Sequence, residues 1–275
     1  MRLERRWRTL TTGLCFVIYG SLGWLTGLIV LPLLLVSSRR PAVRRRRIRA
    51  YVGWSFRALL RLITVLGVGS HSMQGAARLR AARGQLIVAN HPMYLDAIAI
   101  LAQVPQTTCV AKPAMWRNPW YRRFVRAIGY LGHGAHDNLV AGGLAELKAG
   151  RNVLVFPEGT RSTPGQMRFQ RGAAQLAVRA GCDIVPVVIT CTPLSFGKGQ
   201  AWHDIPARPW HLHLRVGAPL ALAQLDARPD MPHGVAARHV NRALEAWFAR
   251  ELGMVETAAP AAHPPAMPRE ADAHA

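Results

Sequence analysis

The stretch "LIVANHPMYLDAIAI", residues 86–100, joins a short apolar run to a polar turn and then to a second apolar run. A short apolar run that ends abruptly in polar residues is typical of a buried strand. His91 stands at the end of this predicted strand, and Asp96 follows it by five residues. In a non-helical turn the imidazole can fold back onto the carboxylate, which would fix one ring tautomer and stabilise the protonated ring. The stretch therefore predicts an α/β fold with a general base at a strand end, and Pro92 as the first residue of the following helix.

The stretch "VLVFPEGTRSTPG", residues 153–165, repeats this pattern of an apolar strand that ends in a polar turn. Because the carboxyl ends of parallel strands meet at one edge of an open sheet, Arg161 and His91 are expected on the same rim. A guanidinium there suits a bidentate grip on a phosphate, and Gly159 would permit a close approach of the backbone. A surface ion pair between Glu158 and Arg161 is the alternative interpretation. Further cations that could contribute to the grip are Arg168 and Arg171.

The pattern beyond residue 78 alternates short apolar strands with amphipathic helices, which predicts a mixed, largely parallel sheet flanked by helices. Strands are predicted at 85–89, 107–111, 152–156, 183–190 and 211–216, and helices at 92–103, 118–128, 138–149, 172–180 and 234–252. The predicted domains are a membrane-anchoring two-helix region at 1–77, an α/β domain at 78–255 and a disordered tail at 256–275.

Charge and cysteine content restrict the partners and the compartment. The chain of 275 residues carries 35 Lys and Arg against 14 Asp and Glu, a formal net charge of +21, which favours polyanionic partners such as lipid headgroups, nucleic acid or an acidic protein. Its four cysteines have no metal-type spacing, which indicates free thiols in a domain that faces the cytosol.

The N-terminal region favours a membrane as the polyanion. Residues 11–38 include no charged side chain and, at about 1.5 Å per helical residue, are long enough to cross a bilayer. Arginines flank this run on both sides, so a single span would leave one cluster on the wrong side. Either the helix spans, or glycines and a proline within the run bend it back. These residues are Gly20, Gly23, Gly27 and Pro32.

The next segment, residues 50–69, carries Arg57 and Arg61 among apolar side chains, as an interfacial helix does. The favoured arrangement is a two-helix anchor inserted mainly from the cytosolic side, with anionic lipids attracted to the arginines at about 1 kcal/mol for each charge. Nucleic acid is not expected as a partner.

Four short motifs carry a family resemblance. "NHPMYLD" resembles the NHx4D motif, and "FPEGTRS" the third block, of the glycerolipid and lysophospholipid acyltransferases, a family that includes 1-acylglycerol-3-phosphate acyltransferases. "FQRGAAQLA" and "VPVVI" are similar to further blocks in the same order, so that the resemblance covers roughly residues 85–219.

The resemblance implies an O-acyltransferase that moves a fatty acyl group from acyl carrier protein or coenzyme A to the hydroxyl of a lysophospholipid, most simply 1-acylglycerol-3-phosphate giving phosphatidic acid. His91 would take the hydroxyl proton and Asp96 would orient it. The implied substrate-binding residues are Glu158, Gly159, Thr160, Arg161, Lys112 and Arg171. Neither a metal nor an organic cofactor is implied. The implied location is a bacterial-type inner (cytoplasmic) membrane, with the catalytic domain on the cytosolic face.

Two departures from the family pattern leave the acceptor open. "GYLGHGAHDNL", residues 129–139, lacks an Arg expected in the second block, and Gln170 stands where a Lys is usual. Either His133 or His136 substitutes, or the acceptor lacks the usual phosphate, as lyso-ornithine lipid, a glycolipid or an aryl-polyene-type lipid would. A serine hydrolase is disfavoured because the chain has no GxSxG elbow. A non-catalytic protein that binds anionic membranes is the remaining alternative.

Overall fold

The computed structural model of the chain describes residues 2–132, 136–163 and 165–254. The helices are α1 (Arg2–Leu25), α2 (Leu31–Val36), α3 (Pro41–Val65), α4 (Ala76–Ala81), α5 (Asp96–Gln103), α6 (Pro113–Arg117), α7 (Pro119–Ile128), α8 (His136–Lys148), α9 (Gly172–Ala180) and α10 (His233–Glu251). A π-helical turn, Thr26–Val30, joins α1 to α2, and a 3-10 turn spans Leu222–Leu225. The strands are β1 (Gly69–Gln74), β2 (Leu86–Ala89), β3 (Thr108–Ala111), β4 (Leu131–Gly132), β5 (Val153–Val155), β6 (Ile184–Thr192) and β7 (Trp210–Val216). The tail predicted to be disordered lies outside the described residues.

The strands form one mixed sheet in the order β1-β7-β6-β2-β5-β3-β4, in which only the β6–β7 pair is antiparallel. The predicted fold class is confirmed, and the predicted strands agree with the structure to within two residues at each end. Strands β1 and β4 were not predicted, because β1 is a polar edge strand and β4 has only two residues. The sheet thus begins before residue 78, while the predicted domain boundaries stay a prediction.

Strand β2 lies at the centre of the sheet and all four of its side chains are buried. Alternate residues of a strand point to opposite faces. Ile87 and Ala89 therefore join a core that includes α3 and α5, whereas Leu86 and Val88 join a core that includes α9 and α10. A strand covered on both faces reads as a continuous apolar run, which is why "LIVA" is recognisable from sequence.

The N-terminal region is a helical hairpin whose first arm does not bend back at its glycines and proline. Helix α1 continues through the π-turn and α2 to Val36, and the chain reverses in residues 37–40. Helix α3 then runs antiparallel to the first arm, as the 2.8 Å hydrogen bond between Thr26 Oγ1 and Tyr51 OH and the shared burial of Leu31 and Ile48 show. The predicted bend within 20–32 is therefore wrong.

The outer face of the first arm is apolar and exposed. The segment Arg6–Val36 is long and apolar enough to cross a membrane, with a mean hydropathy of 2.0 and only 17% of its most apolar window buried. The opposite face packs on the domain along its length. Arg8 donates to the carbonyl of Ala207, Phe16 contacts the ring of Trp202, and Trp24 stacks on Trp120.

Helix α3 packs on the domain with one face and leaves residues such as Trp54 exposed on the other, so its predicted position at the membrane surface stays a prediction. It contributes Leu59, Leu60 and Ile63 to the core, and Arg57 donates to the Ala102 carbonyl at 2.7 Å. The long arginine side chains among its apolar residues reach polar groups at the edge of the domain, so the amphipathic pattern has two explanations that sequence alone does not separate.

A buried arginine fixes α3 to the sheet. Arg49 is 2% exposed and donates to the carbonyls of Ile128 and Gln106, each at 2.9 Å. It also donates to Thr108 Oγ1 at 2.7 Å, and Thr108 in turn donates to Glu146 at 2.5 Å. The guanidinium therefore satisfies groups on β3, α8 and the end of α7 together.

Glu146 supplies the negative charge of this cluster. Burial by itself would raise its pKa, but hydrogen bonds from Arg151 and Thr108 and the charge of Arg49 outweigh burial and lower the pKa to about 2. The ionised carboxylate consequently stabilises the fold above its unfolded pKa, and that contribution is lost as the pH falls from about 4.5 towards 2.

The substitution Arg49→Met is expected to lower the free energy of unfolding by about 3 kcal/mol, because it leaves buried acceptors unpaired. Denaturant unfolding in detergent micelles measures the change. The matched control is Arg46→Met, which removes an exposed arginine from the same helix one turn earlier. Equal stability of the two variants would contradict the structural role of Arg49.

Candidate active site

The site lies at the rim where parallel strands β2, β5 and β3 end. His91 follows β2, Glu158 follows β5 and Lys112 follows β3, and these three strands are neighbours in the sheet. The carboxyl ends of such strands are the usual position of ligands in open α/β sheets. The register of the strands thus brings together segments that are distant in sequence.

His91 and Asp96 are in direct contact. The imidazole Nδ1 lies 2.9 Å from Asp96 Oδ2, which also accepts from the Met93 amide at 2.9 Å. Helix α5 begins at Asp96, not at Pro92 as the sequence predicted, so residues 91–95 form a turn that carries the ring back over the carboxylate. With Nδ1 donating to Asp96, Nε2 is the ring atom that can accept a proton.

The backbone of His91 is held by the second motif. Its amide donates to Glu158 Oε1 and to Ser162 Oγ, each at 3.0 Å, and its carbonyl accepts from the Ser162 amide at 2.7 Å. Ser162 Oγ also donates to Glu158 at 2.5 Å. The ring of Phe156 stacks on the imidazole with centroids 4.4 Å apart. The hydrogen bonds thus fix the backbone of His91, and the Phe156 ring covers one face of its imidazole.

Asn90 fixes the end of β2 to β6. Its Nδ2 donates to the Ile189 carbonyl and its Oδ1 accepts from the Ile189 amide, both at 2.7 Å. The asparagine side chain thereby replaces the backbone pairing that a further strand residue would make. The strand can end here while its last turn stays attached to the sheet.

Burial shifts the two carboxyl groups of the site in the same direction. Asp96 is fully buried, and desolvation raises its pKa to about 6 against the opposing hydrogen bond from His91. Burial likewise raises the pKa of Glu158, opposed by the hydrogen bonds from Ser162 and the His91 amide. Burial thus opposes ionisation of both carboxyl groups, and the hydrogen bonds from His91 and Ser162 partly offset it.

Arg161 lies in a polar cavity of about 270 Å³ beside this cluster. Glu158, Thr160 and Arg161 line the cavity together. One nitrogen of Arg161, Nη1, donates to the carbonyls of Phe196 and Gly197, each at 2.7 Å. The rest of the guanidinium remains available to a ligand. Further lining residues are Thr163, Gln166, Arg168, Phe169, Gln170 and Lys198.

The remaining predicted binding residues have different positions. Gly159 has φ of +69°, and a Cβ there would lie 2.3 Å from the Gln170 side chain, so the turn requires glycine. Burial and then the charge of Arg161 lower the pKa of Lys112. Arg171 is exposed at the start of α9. Neither Lys112 nor Arg171 lines the polar cavity, whereas Glu158, Thr160 and Arg161 do.

An apolar cavity of about 70 Å³ lies under α1, next to the catalytic turn. Tyr94 and Leu95, which separate His91 from Asp96 in sequence, are part of its wall. The other lining residues come from α1, α3, the turn between α3 and β1, α5, β7 and the β6–β7 loop: Thr12, Cys15, Phe16, Tyr19, Leu59, Ile63, Val68, Ile98, Phe196 and Trp210. The apolar lining suits a hydrocarbon group, and the cavity is adjacent to the turn that joins His91 to Asp96.

Sequence reasoning did not single out Ser162, Phe156 or Phe196. Ser162 and Phe156 lie within or beside the second motif, so their proximity to His91 follows once the two strands are paired. Phe196 belongs to a loop with no recognisable pattern, and its position could not be inferred. The side chains of His133 and His136, proposed to replace the missing arginine, lie outside the described residues.

Comparisons with known proteins find similarity over the part of the chain that contains these motifs. Residues 71–190 match the family model Acyltransferase. The chain is 32% identical over 110 residues to "1-acyl-sn-glycerol-3-phosphate acyltransferase" of Pseudomonas aeruginosa, covering 40% of this chain and 38% of the relative. It is 34% identical over 125 residues to "1-acyl-sn-glycerol-3-phosphate acyltransferase beta" of Homo sapiens, covering 40% and 43%. The match spans less than half the length of each of these relatives.

A solved structure shares the fold over most of both chains. The crystal structure of "1-acyl-sn-glycerophosphate (LPA) acyltransferase, PlsC" from Thermotoga maritima superposes with a TM-score of 0.64 at 21% identity, covering 88% of this chain and 98% of that one. At this identity the likeness supports the fold, including the N-terminal region that the family model does not reach.

The burial of Asp96 predicts a pH-dependent stability. Because its pKa is raised from 3.8 to about 6, the neutral carboxyl favours the folded state below pH 3.8, and this contribution is lost as the pH rises through about 6. Above that pH, Asp96→Asn is expected to be at least as stable as the unsubstituted protein. Thermal unfolding between pH 4 and 8 measures this, with exposed Asp230→Asn as the control. If Asp96→Asn loses as much stability between pH 4 and 8 as the unsubstituted protein does, ionisation of the buried Asp96 is not the cause of the loss.

Proposed function

We propose, from the premise that residues 71–190 belong to the acyltransferase family as the motifs predicted, that this protein is a membrane-associated O-acyltransferase. The reaction transfers a fatty acyl group from a thioester of acyl carrier protein or coenzyme A to the free hydroxyl of a lysophospholipid. The preferred acceptor is 1-acylglycerol-3-phosphate, which gives phosphatidic acid.

One observation carries the proposal: His91 Nδ1 lies 2.9 Å from the buried carboxyl group of Asp96, and residues adjacent to His91 line two cavities, Tyr94 and Leu95 the apolar one and Glu158 the cationic one. A general base needs a fixed tautomer and a free nitrogen, and Asp96 supplies the first. The two cavities correspond to the two halves of a lipid acceptor, the anionic headgroup and the acyl chain.

The chemistry follows from this arrangement. His91 Nε2 accepts the proton of the acceptor hydroxyl as its oxygen attacks the thioester carbonyl. The tetrahedral intermediate collapses, the C–S bond breaks, and the imidazolium returns the proton to the leaving thiolate. Asp96 stabilises the transient imidazolium. Because the acceptor oxygen attacks the thioester directly, no acyl-enzyme intermediate forms. Glu158, Thr160 and Arg161, which line the cavity, would form the acceptor site, with Gly159 shaping the turn; Lys112 and Arg171 lie outside the lining and would act only at its edge.

The first arm of the hairpin would lie in one leaflet instead of crossing the bilayer. One face of this helix packs on the domain at Arg8, Phe16 and Trp24, so the helix runs along the domain and does not project from it. Both arginine clusters then lie on the same side of the membrane, where anionic headgroups attract them. The location would be the inner membrane, with the domain on its cytosolic face.

The substitution His91→Gln is expected to lower turnover by about 10²–10⁴-fold, which is the usual contribution of a positioned base. Membranes with either protein receive labelled acyl carrier protein thioester or acyl-coenzyme A, together with 1-acylglycerol-3-phosphate, lyso-ornithine lipid, a lysoglycolipid or no acceptor. Exposed His233→Gln is the matched control.

Three outcomes of this assay would contradict the proposal. Thioester consumption that is independent of any acceptor would identify a hydrolase. Equal turnover of His91→Gln and His233→Gln would show that His91 is not the general base. An absence of transfer to every acceptor, with salt-sensitive membrane binding intact, would favour a non-catalytic membrane-binding protein.

The leaflet arrangement predicts that both ends of the first arm are accessible from the cytosolic side. Cysteines introduced at two exposed positions, Trp7→Cys and Arg39→Cys, should both react with a membrane-impermeant thiol reagent in inverted vesicles and neither in right-side-out vesicles. The unsubstituted protein gives the background, and detergent-solubilised variants the maximum. Labelling of the two positions from opposite sides would show that the helix spans.

A further inference from the structure

The loop between β6 and β7, residues 193–209, forms one wall of the cationic cavity. Arg161 is hydrogen-bonded to the carbonyls of two consecutive loop residues, Phe196 and Gly197. Phe196 adopts φ of +53°, which is uncommon for a residue with a side chain, and the Gly197 amide donates to Gln200 Oε1 at 2.7 Å. The backbone next to Arg161 is therefore held in a defined conformation.

The next residue of the loop, Lys198, points into the same cavity. Its Nζ lies 3.3 Å from Thr163 Oγ1, and its charge is close enough to Glu158 to favour ionisation of that carboxyl. The motif "GKG", residues 197–199, lacks the rest of a phosphate loop and does not by itself predict a phosphate site. The position of Lys198 beside Arg161 depends on the conformation of the loop.

The charge of the cavity suits a phosphate monoester. Its lining includes three cationic side chains, Arg161, Arg168 and Lys198, and one carboxylate, Glu158, which gives a formal net charge of +2. A phosphate monoester carries about −1.5 to −2 charges at neutral pH. A single guanidinium would leave about 0.5 to 1 of this charge uncompensated, and the carboxylate of Glu158 would add to the deficit.

We propose that Lys198 is a ligand of the acceptor's phosphate and, with Arg161, determines the preference for an anionic headgroup. The inference rests on the proposed function and deepens it. Lys198 would supply the positive charge that the second family block lacks here. It lies beyond the segment 71–190 that the family model matches, so the family pattern does not assign this position. The flexible ammonium can reach a phosphate that Arg161 holds from the other side.

The test separates headgroup binding from chemistry. Binding of 1-acylglycerol-3-phosphate, and of the monoacylglycerol that lacks the phosphate, is measured at equilibrium in neutral-lipid nanodiscs without any donor. In Lys198→Gln the Kd for the phosphate lipid should rise about tenfold, as expected for a lost charge-assisted hydrogen bond, and the Kd for the monoacylglycerol should not change. Lys198→Arg should restore most of the affinity.

Two further variants complete the comparison. Lys148→Gln removes an exposed lysine at the end of α8 and should leave both Kd values unchanged, whereas Arg161→Gln should weaken binding of the phosphate lipid at least as much as Lys198→Gln. In turnover assays Lys198→Gln should raise the KM for the phosphate acceptor and leave kcat nearly unchanged, because the imidazole is untouched.

The outcomes distinguish this inference from the proposed function. An unchanged Kd for the phosphate lipid in Lys198→Gln, or an equal rise for both lipids, would overturn the role of Lys198. No preference of the unsubstituted protein for the phosphate lipid would overturn it as well. Selective binding that depends on Lys198, without any acyl transfer, would leave the phosphate site standing and refute the transferase activity.

Discussion

The site depends on the hydrogen bonds that tie the backbone of His91 to the turn after β5. The amide donates to Glu158 and Ser162, and the carbonyl accepts from the Ser162 amide, so two loops that are some seventy residues apart in sequence behave as one unit. Loops at strand ends are otherwise the most mobile part of an α/β sheet. Catalytic groups need positions fixed by surrounding contacts, and here the backbone supplies them.

The same tie explains why Glu158 and Gly159 occur together. Glu158 must reach the His91 amide with one oxygen while its turn reverses towards Ser162, and Gly159 makes that reversal in a left-handed conformation. A carboxylate that is already engaged with the backbone is a poor free ligand. Its hydrogen bond holds the backbone of His91, and its charge partly balances the cations that line the same cavity.

Sequence reasoning located the motifs and most of the sheet because both depend on local patterns. Continuous apolar runs identify buried parallel strands, and the rule that ligands gather at their carboxyl ends brings His91 and Arg161 to one rim. It failed where tertiary contacts decide. The amphipathic pattern of helix α3 does not show which neighbour its apolar face contacts, and its packing against α5 is visible only in the structure. Phe196 and Lys198 are positioned by a loop whose conformation depends on Arg161, a residue more than thirty positions away.

The first arm of the hairpin has two faces with different duties. Its outer side chains need only be apolar, whereas Cys15, Phe16 and Tyr19 on the inner side line the apolar cavity beside the turn at residues 91–95. The outer face should accept almost any exchange among aliphatic residues over evolutionary time, while the inner face should change only in step with the lipid tails that the organism makes. Deletion of this helix would remove one wall of the apolar cavity, so the helix is part of the domain and not only an anchor.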